Sequence, residues 1–398
     1  MRKPFRAYFS LTVIAGLTFS AYSLALLFII QTKVHSVLAN GLVGAIDQIV
    51  EIAGAVMIGN MIGRRPVRSL LLYSTILMAL VAWIPAIFLS SHLFYLVAII
   101  VDLFLSLALL VERLARPVYL MRSLGDDEAF SYISSLQQYV AVGGIAGFII
   151  AAFLVSDVSV PWFFVAFAAT GMGLALVLVG LPNDVGRKTS LAGDVSSSRI
   201  GINMSRLAVA LNGEYTWRLY LVSVAFDASV AVFLSLIIYF VGRIDPRFMD
   251  MGEMIAYAAV GPVLSIVITS VLKGKKALAI ATVFAGISIS LSLIFLAEAR
   301  SIGSAGLLIG IFLGGAIFGS SVLSGLRTTL VKEEFQGVLL GHKRFFSALL
   351  SVFVILVFST FIPNGFRPAL VYQVEGLIML LVTIIYFSDI SRIRRALT

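Results

Sequence analysis

Long apolar runs, each closed by a short polar or basic turn, repeat along the chain and set its organisation. Runs at 8–31, 37–62, 69–90, 93–115, 129–156 and 160–181 come close to or exceed the ~20 residues a helix needs to cross a bilayer. A polar stretch rich in Gly, Ser, Asn and basic residues follows at 182–213, and six more runs occupy 214–241, 252–272, 277–297, 303–326, 345–362 and 369–388. The pattern predicts an all-α membrane protein with twelve transmembrane helices in two six-helix bundles, 1–181 and 214–398, joined by a linker at 182–213. The basic start followed by an apolar run imitates a signal peptide, but its length and the spans behind it predict a retained first helix.

Composition agrees with that pattern and removes other classes. Hydrophobic residues make up 60% and charged residues 12% of the 398 positions, against about 45–50% and about 25% in soluble domains. A net charge of +9 would suggest nucleic acid in a soluble chain. Here 24 of the 29 Lys and Arg fall on the side that holds the N-terminus, which is the bias of cytoplasmic loops. Both termini and the linker are therefore expected in the cytoplasm of a multi-pass cell-membrane protein, with no nucleic-acid partner. With no cysteine, neither disulfides nor thiolate metal sites are possible. His35, His92 and His342 fall near expected helix ends, where solvated readings serve.

Charges inside the apolar runs are the candidate chemistry. Asp47 and Glu51 lie four residues apart in the second span, on one helical face. An ionised acid near the bilayer centre costs roughly 2.5–3.5 kcal/mol, and two adjacent charges cost more, so this pair is the expected proton-coupling site. Asp102, with Ser106 one turn on, and Asp227, with Ser223 one turn before, are the expected substrate acids, with Phe226, Tyr239 and Phe240 as possible walls of an amphiphile pocket. Glu375 and Glu253 are expected near the outer interface. Arg113 and Arg116 are expected to snorkel from the cytoplasmic end of the fourth span, which leaves no basic residue at depth and favours a cationic or neutral cargo. Gly143 with Gly147, and Gly310 with Gly314, set small residues at the spacing that lets helices pack closely. The chain shows no phosphate-binding loop, no metal cluster and no nucleophile set at recognisable spacing, so neither an enzyme nor a cofactor is expected.

The two halves echo each other. Gly63-Arg64-Arg65 after the second span corresponds to Gly274-Lys275-Lys276 after the eighth at an offset of 211 residues, and the same offset carries Arg116 onto Arg327. Two parallel repeats imply a site between the bundles.

Six and six spans with Gly63, Arg64 and Arg65 between the second and third resemble the major facilitator superfamily. Its loop motif there, G-x-x-x-D-[RK]-x-G-[RK]-[RK], is half matched, with Val56, Asn60 and Met61 in place of the glycine, the aspartate and the first basic residue. The resemblance implies a gating role for this loop and for its counterpart in the second half. Gly143, Gly144 and Gly147 resemble the glycine-rich antiporter motif. Arg327 to Val338 is similar to the loop before span eleven in the macrolide and enterobactin exporter branch. What the resemblance implies is a secondary transporter working by alternating access, here a proton-coupled exporter of a small cationic or neutral amphiphile. It would act as a monomer contacting anionic lipid, with the proton gradient as its only energy source. A divalent-cation transporter, a lipid or lysolipid flippase and a transport-inactive interaction protein are the alternatives.

Overall fold

The computed structural model describes residues 3–34, 37–62, 66–124, 126–154, 160–182, 207, 211, 216–244, 251–272, 274–331, 333–361 and 368–388. Within them every spanning element is a helix, as lipid demands of a backbone that must satisfy its own hydrogen bonds. Spans 1 and 2 are Lys3–Val34 and Val37–Ile62. Span 3 is broken into Val67–Ala82 and Ile84–Phe88 at Trp83, just before Pro85. Spans 4, 5 and 6 are Phe94–Ser123, Asp126–Leu154 and Val160–Gly180. In the second half, span 7 is Thr216–Ile244. Span 8 is broken into Met251–Ala258 and Val260–Val271, just before Pro262. Spans 9 to 12 are Lys275–Leu296, Ile302–Leu330, Glu333–Phe361 and Pro368–Phe387. Ten of these helices are long and apolar enough among the described residues to cross a membrane.

Each half has its own apolar interior. In the first, the Tyr22 ring meets Phe164 at 5.0 Å and Phe167 at 5.4 Å; in the second, Phe233 meets Phe312 at 4.3 Å and Tyr372 at 5.7 Å. The glycines of the sequence patterns mark helix contacts. Gly143 and Gly147 turn to the backbone of span 1 at Val13 and Leu17. A side chain at Gly310 would meet the carbonyls of Tyr257 and Ala258 at 3.1 Å, and one at Gly314 the carbonyl of Gly261 at 2.6 Å, so span 10 lies on the broken part of span 8. Gly274 turns the chain into span 9 with φ 95°, a left-handed conformation that a side chain would strain. Gly63, Arg64, Arg65 and nearly all of the linker at 182–213 lie outside the described residues, as do the side chains of Lys275, Lys276, Tyr239 and Phe240.

Two of the boundaries that differ from expectation matter for the site. Span 11 begins at Glu333 rather than 345, and span 4 runs on to Ser123 rather than ending near 115. Arg113, Arg116, Lys343, Arg344 and His342 are thereby carried into helices instead of helix ends. These charges read as flanks because their partners are distant in sequence.

Candidate functional site

Span 2 presents Asp47 and Glu51 toward span 4, where Arg113 reaches both. Its Nη2 lies 3.3 Å from Asp47 Oδ2 and its Nη1 3.1 Å from Glu51 Oε1. Glu51 is 4% exposed and receives a second cation, Arg344 Nη1 of span 11, at 3.4 Å. Arg344 then stands 3.7 Å from Asp227 of span 7, and Lys343 Nζ stands 2.9 Å from the same Asp227 oxygen. The result is a chain of alternating charge, Asp47, Arg113, Glu51, Arg344, Asp227 and Lys343. Three acids and three bases follow one another, and the step from Glu51 to Arg344 crosses from the first half to the second.

A cavity of about 340 Å³ opens between the halves beside this chain, with Arg113, Arg116, Asp227, Lys343, Arg344, Gln137, Ser320 and Ser321 on its polar wall and Leu120, Leu136, Ile317 and Leu313 on its apolar one. Pro117 also lines it. Lacking an N–H, Pro117 releases the Arg113 carbonyl from its helical bond. Four cations and one acid face the space. Arg116 is held by Glu112, one turn earlier on the same helix.

Between the cavity and the face at which the chain begins, the halves meet backbone to backbone. Gly59 of span 2 sits against Gly337 and Gly341 of span 11. A side chain at Gly337 would stand 2.6 Å from the carbonyl of Gly59, and one at Gly341 2.5 Å from that of Ala55. On the other flank Gln137 Nε2 donates to Ser324 at 3.1 Å, Gln138 Nε2 to Thr269 at 2.5 Å, and Phe130 fills the space beside Gly325.

The structure therefore brings together Asp47, Glu51 and Asp227 and leaves the other expected residues elsewhere. Asp102 lies on span 4 outside the cavity lining, with Asp47 and Tyr22 as its electrostatic neighbours. Phe226 is a correction: its ring packs on Gly319 in the interior of the second half, because the face of span 7 that carries it turns to span 10. Arg116 and Arg327, expected in gating loops, lie within helices. Arg327 donates to Gln336 Oε1 at 3.2 Å and Ser324 at 2.9 Å, while Gln336 Nε2 donates to the carbonyls of Arg327 and Val331. This closes the turn between spans 10 and 11. Asn60 is half-buried near the end of span 2. His342, expected in solvent, is fully buried, with Nδ1 2.8 Å from the Val338 carbonyl. Glu375, expected at the outer interface, turns into the second half and receives the Ser229 hydroxyl at 2.5 Å. Sequence reasoning missed Lys343 and Arg344 as site residues. Their position 211 residues beyond Tyr132 and Ile133, on a span that lines the cavity, gave no signal without the longer helix.

No protein-family model and no curated protein sequence matches the chain. Solved structures do. The human organic anion transporter MFSD10 (TETRAN) superposes with a TM-score of 0.72 at 14% identity, covering 97% of this chain and 100% of that one. The proton:xylose symporter XylE bound to 6-bromo-6-deoxy-D-glucose gives 0.69 at 14% identity over 96% and 95%. A bacterial homologue of the iron transporter ferroportin, in an outward-facing state, gives 0.68 at 14% identity over 98% and 100%. Twelve spans in two halves around a central charged cavity, superposable along their whole length on these structures, give this chain the fold of the major facilitator superfamily.

Proposed function

We propose that the protein is a secondary transporter, not an enzyme, that moves a small organic anion together with protons by alternating access. The observation that carries the reading is the cavity wall, where Arg113, Arg116, Lys343 and Arg344 face the space with Asp227 as the one acid. An anion needs such cations to offset its desolvation. The preference for a cationic or neutral cargo rested on the absence of basic residues at depth; the four cations of the cavity wall favour an anion instead. A divalent cation would need Asp47, Glu51 and Asp227 as oxygen ligands, yet each faces a Lys or Arg.

The sign of coupling follows from the ion pairs. An anion that draws Arg113 or Arg344 toward itself weakens the pairs these residues make with Asp47, Glu51 and Asp227, and a carboxylate that loses its counter-charge is costly to keep ionised. A proton removes that cost. Anion and proton thus favour each other's binding, a reciprocal linkage that gives symport rather than the exchange expected of a cationic cargo. Asp47 and Glu51 remain the proposed proton carriers. The fold's occurrence in an organic anion transporter and a proton:xylose symporter supports the reading without assigning a substrate.

The test is uptake into proteoliposomes of labelled mono- and dicarboxylates, sulfonates and phosphate monoesters under an inward proton gradient, with external pH recorded. Accumulation above equilibrium with alkalinisation outside is expected. Proton release into the medium on adding lipophilic cations, with no anion moved, would reject the proposal in favour of cation exchange.

A further inference from the structure

We propose that Glu375 of span 12 is a second proton-binding site, placed inside the C-terminal half and outside the cavity. The side chain lies seven residues into its helix, about 10 Å from the helix start at 1.5 Å per residue, and meets span 7 at Ser229, a buried residue near the middle of that span. Oε1 receives the Ser229 hydroxyl at 2.5 Å, and Oε2 is buried with no hydrogen-bond partner among the described residues.

Among the described residues of the spans that meet there, no cation stands ready to balance a charge. Span 12 has no other charged residue between Pro368 and Phe387, span 9 none between Lys276 and Glu298, span 7 none between Asp227 and Arg243, and span 11 none between Arg344 and Phe361. The groups that face Glu375 are Ser229 of span 7 and Tyr372 one turn earlier on span 12, whose ring lies 5.7 Å from that of Phe233. From span 9, Ser290 already donates its hydroxyl to the Gly286 carbonyl. An ionised carboxylate with one donor and no counter-ion in this setting costs several kcal/mol. A neutral acid, whose carbonyl oxygen accepts from Ser229 and whose Oε2 carries the proton, does not.

Span 7 links the site to the cavity. Ser229 is two residues from Asp227 on span 7, so the helix that presents Asp227 to Lys343 also carries the donor of Glu375. A shift of span 7 that remakes one contact remakes the other. Glu375 would hold its proton in the conformation described and release it when span 7 moves. Its place outside the cavity lining separates it from Asp47 and Glu51, which meet cations directly.

The inference rests on the proton-coupled reading for its role in transport, but its first measurement does not. Infrared difference spectra of the purified wild-type protein against Glu375→Gln at neutral pH should contain a protonated carboxyl band that shifts in D₂O, changes frequency in Ser229→Ala, and disappears in Glu375→Gln. Absence of that band in a folded wild-type protein overturns the site whatever the cargo is. Where a transported anion is found, Glu375→Gln should carry one proton fewer per anion than the wild type, read from paired anion and pH traces. An unchanged ratio, with the band present, would make the group a permanently neutral structural acid and overturn its role. Should no anion move at all, the band still decides the site while the cargo assignment fails separately.

Discussion

Gly337→Ala should loosen the closure between the halves and open the cavity toward the face at which the chain begins. The β-carbon would stand 2.6 Å from the Gly59 carbonyl oxygen, with Ile62 next at 3.5 Å. Ordinary contacts lie near 3.5 Å, so spans 2 and 11 must part by nearly ~1 Å at that point. Overpacking of this kind costs about 1–3 kcal/mol, and the cost falls on the closed conformation alone, since separated helices leave the methyl free. The equilibrium should therefore move by about 5- to 150-fold toward the open state. Because the chain has no cysteine, a single Ser320→Cys in the cavity wall supplies a unique reporter. Its alkylation by a membrane-impermeant maleimide, added at the face of the chain start, should speed up by that factor when Gly337→Ala is added. Gly180→Ala is the control, for a side chain there meets nothing within 4 Å. Equal labelling rates in the two folded double variants would refute the argument that these glycines seal the halves.

Arg344→Gln should cut uphill anion accumulation at least tenfold, and the Glu51→Gln/Arg344→Gln cycle should give a coupling of about 0.5–3 kcal/mol in ligand-induced thermal shifts; full additivity would deny the contact across the halves. Asp47→Asn should abolish pH-driven accumulation while leaving a folded, monodisperse protein, and accumulation unchanged from the wild type would remove Asp47 from the coupling site. Gln336→Ala strips partners from the buried Arg327 side chain and from the carbonyls of Arg327 and Val331, at about 1–3 kcal/mol. A lower Tm in detergent is expected, and an unchanged one would show that water replaces the amide.

The spans were legible because each apolar run is long enough to be unambiguous, and the acids of span 2 stood out because carboxylates are costly in lipid. What the sequence could not show was pairing at a distance. Lys343 sits 116 residues from Asp227, and Arg344 293 residues from Glu51; local pattern treats such basic residues as the edge of a helix. The same reasoning truncated spans 4 and 11 and hid the cationic wall. Glu375 was misplaced for a related cause, since nearness to an expected helix end says nothing about which way the side chain turns. Phe226 illustrates the reverse error, an aromatic residue beside a site acid whose helical face points to another neighbour.

The division of charge between the halves explains how one anion and one proton could release them together. In the first half two carboxylates, Asp47 and Glu51, share one guanidinium, which leaves an excess negative charge; in the second, Lys343 and Arg344 share Asp227, which leaves an excess positive one. Opposite unit charges about 4 Å apart attract by about 4 kcal/mol at an effective dielectric of 20, and Glu51 and Arg344 stand at 3.4 Å. The halves are thus held together beside the cavity as well as at the glycine seam. A proton on Asp47 or Glu51 cancels the excess of the first half, and an anion on Lys343 and Arg344 cancels that of the second. Within the chain of six charges, either alone leaves one unbalanced charge beside the contact across the halves, whereas both together balance it. On the proposed reading, coupling of anion and proton would then follow from the cost of the singly loaded states.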